Sequence, residues 1–311
     1  MFAKTDVLLP TDFSHYALYA MRYAIAIARK YGGRVCFAHV LDPALFSIGS
    51  GHGYWLTKSD VDTLTASMNE QAEKRLKHLV QMVKDAGVDA DYHIVRGRPW
   101  VEIVKLADVL TCDMIVIATH GRTGFDHVAF GSVAERVVRH SPVPVLCIKH
   151  PEHEFVNDGD LSINIRQVLF PSDFSEYAER TLPYAASICK EFGARLVLFN
   201  TSEVPVVLPE FMPDTATTVS ADMEDHAREA LENMRDQLEG IEVDVKVKTG
   251  VAYREICLAV DEMDVDLIVL PTHGKSGIVH LLFGSVAEKV VRLSSCPVLA
   301  IRPEGEPADQ D

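Results

Sequence analysis

Short apolar runs rich in β-branched residues alternate along this chain with stretches whose apolar residues recur every three or four positions. The first pattern marks strands and the second marks helices. Their alternation predicts βαβ units and hence a parallel sheet. In the first half the strands read as Asp6–Leu9, Arg34–Val40, Ala90–Val95, Met114–Ala118 and Val143–Ile148, with helices starting near Ser14, Asp60, Pro99 and Ser132. The second of these helices sets Leu64, Met68, Ala72, Leu76, Leu79 and Val83 on one face and ends at Gly87, a C-cap. In the second half the strands read as Gln167–Phe170, Arg195–Asn200, Val243–Val247, Leu267–Leu270 and Pro297–Ile301. Pro183 falls inside the first helix of that half and predicts a kink. The fold class is therefore α/β: two tandem doubly wound parallel five-stranded sheets, their right-handed crossovers covering both faces.

The two halves are copies. Thr119–Lys149 aligns with Thr272–Arg302 at an offset of 153, and 19 of 31 positions are identical. Leu9–Ser14 matches Phe170–Ser175 at an offset of 161. The offset falls by eight because the first copy has a longer segment between its second strand and second helix. That segment, Asp42–Ser59, carries Gly49, Gly51, Gly53 and Trp55. It reads either as a mobile cover for the first site or as an ordinary surface insertion. The expected domains are residues 1–149 and 165–303, joined by a polar linker at 150–164 and followed by a disordered acidic tail at 304–311.

Composition narrows the options. With 311 residues the chain has room for two cores, and a net charge of −15 disfavours nonspecific attraction to nucleic acid or anionic membranes. No apolar run reaches the ~20 residues of a membrane helix. The first ten residues read directly as a strand, so no signal peptide is expected. Cys36, Cys112, Cys147, Cys189, Cys257 and Cys296 are scattered without a CxxC pair, as reduced core thiols of a cytoplasmic protein would be. Thirteen histidines, among them His52 and His93, show no metal-ligand spacing, and no metal site is expected.

Ligands of open parallel sheets sit beyond the carboxyl ends of the strands, where the strand order reverses. Three segments of each copy should meet there. The first strand ends in Pro10-Thr11-Asp12 and in Pro171-Ser172-Asp173. The fourth ends in Ala118-Thr119-His120-Gly121-Arg122 and in Pro271-Thr272-His273-Gly274-Lys275. The fourth helix opens with Gly131-Ser132-Val133 and with Gly284-Ser285-Val286. Glycines allow close backbone approach and positive φ, and a helix start offers N–H groups to a phosphate. A carboxylate at residue 12 or 173 can accept from a ribose hydroxyl or an adenine amine. Duller readings exist for each motif. Ser132 with Glu135, and Ser285 with Glu288, fit a capping box, and Asp12 and Asp173 fit Asx turns. His120 and His273 are turn residues or ligand contacts. Taken singly the motifs favour the duller readings, while their convergence favours binding.

At these residues the chain resembles the universal stress protein family in a tandem form. ATP-binding members carry glycine, two residues, glycine, nine residues, glycine, then serine or threonine. Gly121, Gly131 and Ser132 match, as do Gly274, Gly284 and Ser285, but Ala118 and Pro271 replace the first glycine. Proline removes a donor and fixes φ, which weighs against the second site. The resemblance implies an adenine-nucleotide α-hydrolase-like, Rossmann-like fold and a stress-response role. It implies ATP as ligand, with Mg2+ carried in by it. Asp12 and Asp173 would hold the adenosine end, with Val40 lining the base pocket and Thr201 at the matching position. The alternatives are a nucleotide-free interaction scaffold and a slow ATPase. No GxxxxGK[ST] loop, SGG-type loop or general base is present, so hydrolysis is expected to be slow at most. Arg98, Arg122 and Lys275 are candidates for charge neutralisation. The fifth strands, Val143–Ile148 and Pro297–Ile301, are expected to meet in an internal pseudo-dimer, with homodimerisation left open.

Overall fold

The computed structural model describes residues 4–46, 58–119, 130–149, 153–202, 213–274 and 284–302. They fall into two compact units, one centred on each copy. The first copy runs β1 (Val7–Pro10), α1 (His15–Tyr31), β2 (Arg34–Leu41), α2 (Lys58–Asp85), β3 (Asp89–Arg96), α3 (Pro99–Val109), β4 (Met114–Ala118), α4 (Ser132–His140) and β5 (Val145–Ile148). The second runs β6 (Gln167–Pro171), α5 (Glu176–Phe192), β7 (Arg195–Ser202), α6 (Pro213–Arg235), β8 (Val243–Thr249), α7 (Ala252–Met263), β9 (Leu267–Pro271), α8 (Ser285–Leu293) and β10 (Val298–Ile301).

Strand order in the first copy is β3-β2-β1-β4-β5, and in the second β8-β7-β6-β9-β10. β1 pairs in parallel with β2 on one side and β4 on the other. β6 stands in the same way between β7 and β9. The order therefore reverses beside β1 and β6, and a crevice opens past their carboxyl ends. All four residues of β1 are buried. Successive strand residues point to opposite faces, so complete burial requires cover on both faces. Central strands of this kind have no polar face, which is why they read as unbroken apolar runs.

Local chemistry fixes the helix ends. α1 and α5 are capped by Ser14 and Ser175 and closed by Gly32 and Gly193 at φ 65° and 63°. Left-handed C-cap positions of this kind suit glycine. α5 runs on through Pro183, which is exposed. α2 buries Ala72, Leu76, Leu79 and Val83 as its periodicity predicts, but Leu64 is 43% exposed. The stripe therefore meets the sheet only along the second half of the helix. Within the linker stretch, Phe155 and Val156 are buried and Val156 forms a bridge with Ile163. Most of the Asp42–Ser59 segment and the whole 304–311 tail lie outside the described residues. Among the described residues, no helix is long and apolar enough to cross a membrane.

Candidate functional site

Each first strand must turn sharply into its helix, and the turn organises the site. In copy one the turn residue is Phe13, at φ 64°. That conformation costs a non-glycine residue about 1–3 kcal/mol. Side chains on both sides hold it. Thr11 Oγ1 accepts from the Phe13 amide at 3.1 Å, Asp12 Oδ1 from the Ser14 amide at 3.0 Å, and Ser14 Oγ from the Ala17 amide at 3.2 Å. Copy two repeats the device with Phe174 at φ 58°. There Ser172 accepts from Phe174 at 3.1 Å, Asp173 from Ser175 at 3.0 Å, and Ser175 from Ala178 at 3.2 Å. The Asx turns read from the sequence are thus formed, each through one carboxylate oxygen.

The neighbouring strand ties the same loop from behind. His39 Nδ1 lies 2.8 Å from the Thr11 carbonyl. A carbonyl only accepts, so the Nδ1 proton sits in this bond. At the matching place in copy two, Asn200 Nδ2 donates to the Ser172 carbonyl at 2.8 Å. These two residues were not among the sequence candidates. The signal was available, since they directly precede Val40 and Thr201.

The second and third segments meet through backbone. The Gly131 amide donates to the buried Thr119 carbonyl at 2.8 Å, and Gly284 to that of Thr272 at 2.9 Å. The glycines are not needed for positive φ, which is −65° and −54° at these positions. They are needed for closeness: a Cβ on Gly131 would lie 3.1 Å from the Thr119 oxygen, and on Gly284 3.3 Å from that of Thr272. Gly274 packs likewise on Asp173, whose Oδ2 would lie 2.6 Å from an added Cβ.

The capping boxes do not form. Gly131 and Gly284, rather than the serines, are the N-caps of α4 and α8. Glu135 accepts instead from Arg139 Nη2 at 2.9 Å. A glycine cap gives the first-turn N–H groups no side-chain acceptor. Those amides, with the helix dipole behind them, can receive an anion.

In copy one, Pro10, Thr11, Asp12, Val40, Ala118, Gly131, Ser132 and Val133 line a single cleft of about 300 Å³. In copy two, Pro171, Ser172, Asp173, Thr201, Pro271, His273, Gly274, Gly284, Ser285 and Val286 line another of about 160 Å³. His273 Nδ1 is 3.0 Å from the Thr272 hydroxyl. His120, Gly121, Arg122 and Lys275 lie outside the described residues. Arg98 is exposed and is not among the residues lining the copy-one cleft. The sequence did not single out the walls formed by Pro99 and Ile103 and by Ala252 and Ile256.

A family model described as "Universal stress protein family" matches residues 5–149 and again 164–302. The chain belongs to that family. Two matches in succession make it a tandem universal stress protein. Universal stress protein Slr1230 of Synechocystis is 26% identical, over 96% of this chain and 99% of its own length. Universal stress protein MJ0531 of Methanocaldococcus jannaschii is 32% identical over 48% of this chain and 84% of its own. A crystal structure of a universal stress protein from Archaeoglobus fulgidus superposes with a TM-score of 0.67 at 26% identity, covering 96% of this chain and 98% of that one. The Rossmann-like fold expected of such a protein is the fold observed.

Proposed function

We propose that this universal stress protein binds an adenine nucleotide, ATP with Mg2+, in a strand-end cleft, and that occupancy serves as a conformational signal in a stress response. One observation carries the reading: Asp12, the glycine-capped start of α4 and the apolar wall at Val40 and Ile103 all open on the same cleft. Those parts match the parts of the ligand. The amides face phosphate, the carboxylate accepts from hydroxyl or amine, and the apolar wall accommodates a base. Among the described residues, no group of three or more His, Cys, Asp or Glu side chains is placed to hold a metal. Magnesium arriving on the phosphates needs few protein ligands, and the Ser132 hydroxyl at the start of α4 offers an oxygen donor of the kind it prefers.

Binding rather than turnover is the chemistry supported. Asp12 is the one carboxylate among the described residues lining the copy-one cleft, and its Oδ1 already holds the Ser14 amide. Its other oxygen is the one assigned to the nucleotide, which leaves no second carboxylate among the described lining residues to activate water.

Isothermal titration with ATP and Mg2+ tests the reading. Asp12→Asn keeps the Oδ1 acceptor for Ser14 and removes the charge. Loss of a charged hydrogen bond, worth roughly 1.5–3 kcal/mol, should weaken binding about 10- to 100-fold. A wild-type chain giving no heat and no thermal shift at millimolar ATP would overturn the proposal in favour of a ligand-free scaffold.

A further inference from the structure

The two copies share a turn, a cap and a backbone contact, yet their clefts differ about twofold in volume, near 300 Å³ against 160 Å³. The register explains the difference. Pro10 of β1 pairs with Ala38 of β2, and Pro171 of β6 pairs with Phe199 of β7. The same point on each cleft wall therefore carries a methyl group in one copy and a phenyl ring in the other. Phe199 is 1% exposed and lines the copy-two cleft, as Ala38 lines the copy-one cleft. At the rim, Pro271 stands where copy one has Ala118, and both line their clefts. Small-molecule sites run from about 300 to 1,000 Å³. Asp173 and Thr201 also border a shallower opening of about 440 Å³ beside α6. In the cleft that reaches the start of the fourth helix, copy one meets the lower bound and copy two falls short.

We infer that the chain is a one-site protein, with nucleotide held by copy one and copy two closed by Phe199. The residue pair Ala38 and Phe199 decides which copy accepts a purine. This rests on the nucleotide reading above and narrows it to one cleft. A flat base needs a slot against the apolar wall. In copy two the larger Phe199 lines that wall in place of Ala38, whereas the start of α8, with no side-chain cap bond, still lines the cleft. The second copy thus keeps the architecture of the site without room for the base.

Equilibrium dialysis against ATP and Mg2+ should give one nucleotide per chain. Hydrogen exchange on the intact wild-type protein should show ATP protecting residues 10–12 and 38–40, with 171–173 and 199–201 unchanged. Ala38→Phe should abolish binding, or weaken it at least 100-fold, in a chain that still melts cooperatively. Phe199→Ala should raise the stoichiometry towards two. Phe199→Leu, which leaves a smaller gap, repeats the test if the alanine variant does not fold. Two nucleotides per wild-type chain, ATP protection of residues 199–201, or binding that survives Ala38→Phe overturns this inference and leaves the nucleotide reading standing. No binding by the wild-type chain overturns both.

Discussion

At residue scale the site depends on a strained loop held by its neighbours. Phe13 and Phe174 keep a left-handed backbone in both copies. His39 and Asn200 hold the preceding carbonyls at the same distance, 2.8 Å, with different chemistry. What the loop requires at this position is one N–H donor, and either side chain supplies it. His39→Asn should therefore preserve thermal stability and ATP affinity within a factor of a few. His39→Ala leaves the Thr11 carbonyl without that donor and should cost about 1–3 kcal/mol of stability, with weaker ATP binding. Paired denaturant titrations of the two variants check this, and equal losses in both would show that the imidazole acts otherwise. Asp12 and Gly131 were legible because type and position both signalled a turn or an approach. His39 was not, because a lone histidine on a strand gives no hint of which carbonyl its ring will face. The exchange of Ala38 for Phe199 is visible at the offset of 161. Its meaning waits on knowing that this position lines the cleft.

At the scale of elements, the strands and helices fall close to where hydrophobic periodicity places them, since central parallel strands and amphipathic helices carry strong, local signals. Met114–Ala118 is read to the residue, and α3 and α4 begin at Pro99 and Ser132 as expected. The capping-box reading failed for a tertiary reason. The bond from Gly131 to the Thr119 carbonyl makes the glycine the cap and moves Ser132 into the first turn. The linker stretch hides structure for a related reason: its polar composition masks two apolar residues, and only tertiary contact shows that they are buried. Phe155 is 3% exposed, and its carbonyl accepts from the Asn164 amide at 2.8 Å. Phe155→Ala should then destabilise the second copy by about 3–5 kcal/mol, as truncation of a buried aromatic does. Urea denaturation followed by circular dichroism reads the loss, and a change below about 1 kcal/mol would mean that the linker contributes no core.

On the scale of the whole molecule, duplication gives each copy its own core, and the cysteines report on both. Cys147, Cys189 and Cys296 are buried in strands, helix or strand approach, and Cys257 is half-buried. Burial disfavours the thiolate, pushing Cys189 and Cys296 up to about 12 and Cys257 to about 11, with Cys147 raised as well. A raised folded-state value means that stability is intact below the unfolded thiol's 9.0 and declines as pH climbs towards the folded value. At pH 10 the unfolded chain gains about 1.4 kcal/mol per thiol by ionising, so in the second copy Cys189, Cys257 and Cys296 together remove roughly 4 kcal/mol. That is a large share of the ~5–15 kcal/mol holding an ordinary domain together. Denaturation midpoints should hence fall steeply between pH 9 and 10.5. Replacing Cys189 or Cys296 with alanine should flatten the dependence by about a third each relative to the parent, a difference that cancels tyrosine and lysine ionisation common to both chains. Iodoacetamide at pH 8 should reach Cys257 before the five buried thiols. A pH profile unchanged by both alanine variants would show that these thiols ionise as readily in the folded chain as in the unfolded one, which a close-packed core does not allow.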